Sequence, residues 1–271
     1  MAIRLIALDV DDTLLNSRGE ITPQTYQAVQ RALAQGIKVV LCSGRPLAGL
    51  QHYLDQLALS GANQYVITYN GAVIEDLTGQ IVARHVINNQ LYRELTSFGQ
   101  AHHIPFNVLA PDSQIYTADH DVDPITVVQA WENQAGILIR EPAELPHDFE
   151  IAKGLFVGEK TLLDEAAPLV EQAFGQQLYV VRAAANFLEV MSAGVNKGQA
   201  LQDLATKLQL NAAEIMAVGD EQNDLPMFAF AGTAVAMANG SEIAKQQADF
   251  VTASNDDDGV AEVIEKLALK K

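Results

Sequence analysis

The sequence predicts an α/β fold, a parallel sheet flanked by helices and interrupted by an inserted α+β segment. Three observations predict it. Apolar runs of strand length alternate with helix-period segments in both terminal parts of the chain. Several of those runs end on a polar residue, at Asp9, Ser43 and Asp220. From about residue 81 the segments shorten and Pro and Asp breaks multiply, until the alternation returns at FLEVMSAGVNKG. On this pattern residues 1–82 and 189–271 form a core domain, and residues 83–188 form an inserted one.

The first strand is LIAL, Leu5 to Leu8, apolar at successive positions and so buried on both faces. It runs into Asp9, Asp11 and Asp12, three carboxylates within four positions. Unpaired charges at a buried strand end repel one another and are costly to desolvate, so a positive partner is required there. ITPQTYQAVQRALAQG follows as a helix, with Thr22 as N-cap, Pro23 in the first helical position and Gly36 as the stop. IKVVLCSG is a second buried strand ending at Ser43. LAGLQHYLDQLAL is a helix, and QYVITYNGAVI is a strand running into the turn signal Asn70-Gly71.

In the inserted part, LYRELTSFGQAH and TLLDEAAPLVEQAF read as helices among short strands, and His102-His103 ends the first of them. AEIMAVGD is a strand ending on an acid, TAVAM is another, and GVAEVIEKLALKK closes the chain as a helix. In an open parallel sheet, ligands bind outside the carboxyl ends of the strands. Asp9, Ser43 and Asp220 therefore converge on one edge and on a single polar site.

Composition narrows the function classes. With 271 residues, 49% apolar and 19% charged, the chain has an ordinary globular balance. Its formal net charge of −17 repels nucleic acid and anionic membrane surfaces, and no block of Lys or Arg counters it. The single cysteine, Cys42, excludes an internal disulfide and a thiolate-rich metal site, and reads as a small core residue. No apolar run reaches the length of a membrane span and no secretory leader is visible, so the expectation is a soluble, cytoplasmic protein. Asp256, Asp257 and Asp258 read as a solvated loop and helix start. The six histidines show no metal-ligand spacing.

DVDDT (Asp9 to Thr13), SGR (Ser43 to Arg45), NKG (Asn196 to Gly198) and GDEQND (Gly219 to Asp224) resemble, in order, the four motifs of the haloacid dehalogenase (HAD) superfamily. YNGA, FLEVMSAGVNKG, IMAVGDEQND and DFVTASNDDDGVAEVIEK resemble its Cof-type, subfamily IIB members, the YidA-like sugar phosphatases. The resemblance implies a Rossmann-like HAD core and, for the insertion, a C2B-type cap that excludes water and sets specificity. It also implies a phosphatase of small phosphorylated metabolites, with Mg²⁺ as cofactor.

By the same resemblance Asp9 is the nucleophile, forming an aspartyl-phosphate, and Asp11 is the general acid and then the base. A catalytic acid needs a raised pKa, which burial among carboxylates would supply. Two positions apart at a strand end, Asp9 and Asp11 can point into one crevice. The implied metal ligands are Asp9, Asp220, Asp224 and the main-chain carbonyl of Asp11. Ser43 and Lys197 complete the catalytic set, and Val10, Ser43, Gly44, Arg45, Lys197 and Asn223 are implied phosphate or substrate contacts.

Several positions have two readings. Ser43 alone would be an N-cap serine, Lys197 alone a surface residue, and GDEQND alone an acidic helix start. Arg45 faces substrate or the crevice rim, and Asn70 is a pocket residue or a left-handed turn residue. Thr13 holds the Asp9 carboxylate within the loop or is purely structural. Lys153 reads as a strand-end surface residue, with a substrate-facing role as the alternative. Asp12 stands where many Cof-type relatives carry Gly, and no catalytic role attaches to it. A phosphotransferase using the same phospho-aspartate, or a binding protein on this scaffold, are the rival functions. The partner is a small phosphorylated metabolite, and both monomer and homodimer are open.

Overall fold

A computed structural model describes residues 2–269. Two compact units result, one from Met1–Gly44, Gln51–Ala83 and Asn196–Lys271, the other from Arg45–Leu50 and Arg84–Val195.

The first unit is built on an eight-stranded sheet. Its spatial order is Phe250–Val251, Thr233–Ala236, Ile215–Gly219, Leu5–Leu8, Lys38–Cys42, Gly61–Thr68, Val73–Leu77 and Ile81–Arg84. The pairings from Phe250–Val251 through Gly61–Thr68 are parallel, which demands crossover connections and places helices on the faces. Leu5–Leu8 is central and fully buried, as its continuous apolar run predicts. Leu5 and Ala7 join Val40, Cys42, Ile215 and Ala217 in a core that also holds Leu201 and Leu204 of the helix Lys197–Leu208.

The helix Pro23–Ala34 begins as expected: Thr22 Oγ1 accepts the Thr25 amide at 3.2 Å, and Pro23 takes the first position, where no N–H is needed. Gly36 follows at φ +79°, a conformation that costs an L-residue but not glycine. The helix expected across LAGLQHYLDQLAL is divided. A tight turn at Leu47–Gly49 precedes the helix Gln51–Gln56, and Leu50 donates back to Leu47 O rather than continuing an α-helical ladder. Beyond Thr68 the chain turns through left-handed Tyr69, Asn70 and Gly71, and returns as the antiparallel strand Val73–Leu77.

The second unit carries a six-stranded sheet in the order Leu178–Ala184, Phe187–Ser192, Lys153–Val157, Phe106–Leu109, Ile115–Thr117 and Ile137–Ile139. One face, with Phe106, Val108, Phe156, Leu188 and Val190, packs on Tyr92 and Leu95 of the helix Asn89–His102 and on Leu163, Ala166 and Val170 of Lys160–Phe174. His103 ends the first helix in the left-handed conformation.

Phe187–Ser192 departs from the boundary read at residue 189. It hydrogen-bonds antiparallel to Lys153–Val157 on one side and Leu178–Ala184 on the other, so it is an interior strand of this sheet. Both ladder partners lie upstream, and they hold the strand here although its local pattern suits either sheet.

Lys153 is also not a surface residue. Its ammonium lies 2.6 Å from Glu189 Oε1, and both side chains are only 7% exposed. Burial of the charge is tolerated because the opposite charge is buried with it.

Candidate active site

The register of the first sheet assembles the motif residues. Leu8 lies opposite Val218 on one side and Leu41 on the other. Asp9, Asp220 and Ser43 therefore emerge at the carboxyl ends of three adjacent strands, as the alternation of the sequence predicts. The backbone ladder extends one residue past the first two strands: Asp9 N donates to Val218 O at 2.9 Å, and Ser43 N to Ile67 O at 2.9 Å.

After Asp9 the chain makes one wide helical turn, closed by Leu14 N to Asp9 O at 3.3 Å and Leu15 N to Val10 O at 3.0 Å. Within it Asp11 is extended (φ −70°, ψ 134°) and Asp12 left-handed (φ 55°, ψ 8°). This corrects the strand-end reasoning. The extended alternation stops at Asp9, and the turn leaves Asp11 and Asp12 exposed while Val10 is fully buried. Asp11 is thus not embedded among the carboxylates, and the Val10 side chain presents nothing to a ligand. Asp12 occupies a conformation that glycine adopts at less cost.

Lys197 opens the helix Lys197–Leu208, whose N-cap Asn196 accepts the Gln199 amide at 2.8 Å. None of the Lys197 side chain is exposed. Its Nζ donates to Asp9 Oδ1 and to Asp224 Oδ1, both at 2.7 Å. The other Asp224 oxygen accepts the amides of Asp220 (2.8 Å) and Glu221 (3.0 Å), so Asp224 also closes its own turn. Gly219 permits this: a Cβ there would stand 2.4 Å from Asp224 Cγ. Thr13 Oγ1 donates to Asp220 Oδ1 at 2.8 Å. Thr13 therefore steadies Asp220 and not, as the loop position suggested, Asp9.

Asp9, Asp220 and Asp224 are all buried, and their ligating oxygens lie within 4.8 Å of one another. Burial pushes the Asp9 carboxyl well above its usual pKa, with the Asp224 charge adding to the rise and Lys197 opposing it. Asp220 is pushed up to about 6, chiefly by burial and partly by Asp224, against the Thr13 hydrogen bond. For Lys197, burial works against the charge, but Asp9 and Asp224 outweigh it and raise the pKa. Three carboxylates facing one ammonium leave an excess of negative charge. Such a set of hard oxygen donors fits a hard divalent cation such as Mg²⁺.

Asn223 Nδ2 donates to Asn70 Oδ1 at 3.2 Å, and Asn70 packs beside Gly44, where a Cβ would meet it at 3.2 Å. Asn70 is thus both a left-handed turn residue and a neighbour of two motif residues. Arg45 falls with the segment Arg45–Leu50, which belongs to the second unit. Cys42 is fully buried, and burial pushes its thiol pKa up, so it is an inert core residue.

Asn239 and Asn255 were not singled out from the sequence. Asn239 Nδ2 donates to Asp12 O at 2.7 Å, and Asn255 Nδ2 to Leu15 O at 2.9 Å. Asp256, read as solvated, is exposed yet accepts the Ser17 amide at 2.9 Å, and Asp258 accepts the Thr22 hydroxyl at 2.5 Å. The stretch SNDDDG carried the signal for Asn255, Asp256 and Asp258, in side chains able to bind a distant partner, and Asn239 lies outside it.

A family model described as haloacid dehalogenase-like hydrolase matches residues 6–264. The chain is 35% identical to the putative phosphatase YxeH of Bacillus subtilis, over 99% of both chains. It is 36% identical to a putative phosphatase of Streptococcus pyogenes, over 99% of this chain and all of the relative. A haloacid dehalogenase-like hydrolase from Bacteroides thetaiotaomicron superposes with a TM-score of 0.88 at 31% identity, covering 97% of this chain and 99% of that one. No helix among the described residues is long and apolar enough to cross a membrane. The chain belongs to the haloacid dehalogenase-like hydrolases.

Proposed function

We propose that this hydrolase is a Mg²⁺-dependent phosphomonoesterase acting on small sugar phosphates through a phosphorylated Asp9. One observation carries the reading: Lys197 is fully buried and bridges Asp9 and Asp224, with the Asp220 carboxylate beside them. A carboxylate so placed can serve as a nucleophile, and a buried ammonium touching it can neutralise an incoming phosphoryl group.

Asp9 attacks phosphorus in line with the leaving alcohol. As the Asp9 Oδ–P bond forms and the ester P–O bond breaks, the Asp11 carboxyl gives its proton to the alcohol oxygen. Asp11, now a carboxylate, takes a proton from water, whose oxygen attacks phosphorus and releases phosphate and free Asp9. Asp11 is exposed in its turn and so open to the alcohol and water it must serve. Ser43 and the Gly44 amide bind the non-bridging oxygens, and Asn223 lies beside them through Asn70. When bound by Asp9, Asp220, Asp224 and the Asp11 main-chain carbonyl, Mg²⁺ supplies the positive charge that lets two anions approach.

A Bacillus subtilis relative, 27% identical over 98% of both chains, is named as a phosphatase of 5-amino-6-(5-phospho-D-ribitylamino)uracil. That substrate is a phosphate ester on a sugar-derived chain, which supports the sugar-phosphate class. The unit of residues 84–195 is proposed as the cap that selects the leaving group.

A panel of phosphorylated metabolites, assayed for phosphate release with Mg²⁺, tests the reading. Wild-type enzyme should favour sugar phosphates, and Asp9→Asn should lose essentially all turnover. A D9N variant with near wild-type activity would overturn it, and transfer to an added sugar in place of phosphate release would make the enzyme a phosphotransferase.

A further inference from the structure

The turn that carries Asp11 is braced from the far end of the chain. Asn239 Nδ2 donates to the Asp12 carbonyl at 2.7 Å, while Asn239 Oδ1 accepts the Asn255 amide at 3.0 Å. Asn255 Nδ2 then donates to the Leu15 carbonyl at 2.9 Å. Two asparagines, joined to each other, thus hold the turn at Asp12 and again three residues on.

Asp12 is a non-glycine residue at φ 55°, a conformation with an intrinsic cost of about 1 kcal/mol that its surroundings must sustain. A hydrogen bond to the carbonyl of that same residue fixes the peptide plane that defines the turn. Asp11 immediately precedes it, so the direction of its side chain follows the geometry there. Asp9 is secured differently, by the backbone bond to Val218 and by Lys197. Loosening the brace should therefore move Asp11 while leaving Asp9 in place.

We propose that Asn239 and Asn255 are positioning residues that aim Asp11 at the leaving-group oxygen. The proposal rests on Asp11 acting as the general acid. Asn239 is exposed, so its loss removes the brace without opening the core.

The test compares kcat/KM for two esters under Mg²⁺. Phenyl phosphate has a poor leaving group that needs protonation, whereas 2,4-dinitrophenyl phosphate has one that departs as the anion. Asp11→Asn is the reference variant. Proton transfer of this kind contributes about 10²–10⁴-fold. In Asn239→Ala, phenyl phosphate should therefore lose about tenfold or more and dinitrophenyl phosphate less than about threefold, with an unchanged melting temperature. Asn255→Ala should show the same asymmetry if it folds, and N239A decides alone if it does not. An equal loss on both esters, or no loss on either, overturns the positioning role. If Asp11→Asn itself shows no asymmetry, the assignment of Asp11 as acid fails first, and the brace has nothing to aim.

Discussion

The Lys197 ammonium stands 2.7 Å from Asp9 Oδ1 with neither side chain more than 9% exposed, so the Asp9 carboxylate is held by a charge that is itself out of water. Carboxylate and counter-charge are 188 residues apart in sequence. Two opposite stability effects follow.

Asp9 has a folded pKa well above its unfolded value, so the folded protein holds that proton more tightly and loses stability as pH rises through the folded pKa. At pH 7–8 and without divalent cation, Asp9→Asn should raise the melting temperature while lowering kcat by more than about 10³-fold. Lys197→Met strands two buried carboxylates and should lower stability by about 3–5 kcal/mol. Thermal melts in EDTA check both signs.

Asp220 makes a similar prediction for metal affinity. Its folded pKa of about 6 lies above the unfolded 3.8, so its contribution favours the folded state at low pH and is lost as pH rises through 6. The same ionisation frees an oxygen donor in the proposed metal site, so Mg²⁺ affinity should strengthen as pH rises through 6. Removing the Thr13 hydroxyl, which stabilises the carboxylate, should move that limb to higher pH. Calorimetric titration of Mg²⁺ into wild type and Thr13→Val between pH 5 and 8 measures the displacement.

Asp12→Gly should leave kcat/KM within about twofold. It relieves the left-handed strain, worth about 1 kcal/mol, though glycine's freedom in the unfolded chain returns part of that gain. The main-chain carbonyl that Asn239 grips is retained. A drop beyond tenfold would give the Asp12 carboxylate a role that its exposed position does not show.

The Lys153–Glu189 pair should behave as a unit. Lys153→Met alone should cost about 3–5 kcal/mol, because Glu189 is left buried and uncompensated. The double variant Lys153→Met/Glu189→Leu should recover most of that loss, since a packed apolar pair needs no desolvated charge. Urea unfolding of wild type, Lys153→Met, Glu189→Leu and the double variant resolves the cycle.

The strand-end residues were legible because unbroken apolar runs announce buried parallel strands, and the polar residue ending each run must lie at the sheet edge. Thr22, Pro23 and Gly36 were legible because capping is local chemistry. What escaped depends on distance in the chain. Thr13 chooses Asp220 over Asp9 because a wide turn, not a strand, follows Asp9. Lys153 is hidden by a glutamate 36 positions away. FLEVMS suits either sheet by its own pattern, and only its two ladders assign it. The asparagine brace joins residues separated by 227 and 240 positions, a span that no local pattern encodes.

The central pairing of Leu5–Leu8 with Ile215–Gly219 also governs when activity can first appear. During synthesis Asp9 precedes the inserted unit, whereas the neighbouring strand Ile215–Gly219, Lys197, Asp220 and Asp224 all follow it. Contacts this remote close late, since the chain entropy of the intervening loop must first be overcome. A ribosome-bound chain halted before residue 196 holds Asp9 without Lys197, and one halted before residue 255 still lacks the second asparagine of the brace. A polypeptide halted before residue 196 therefore carries only part of the carboxylate and ammonium cluster, and the proposed hydrolysis should begin only once the segments that follow the inserted unit have folded onto the first strand.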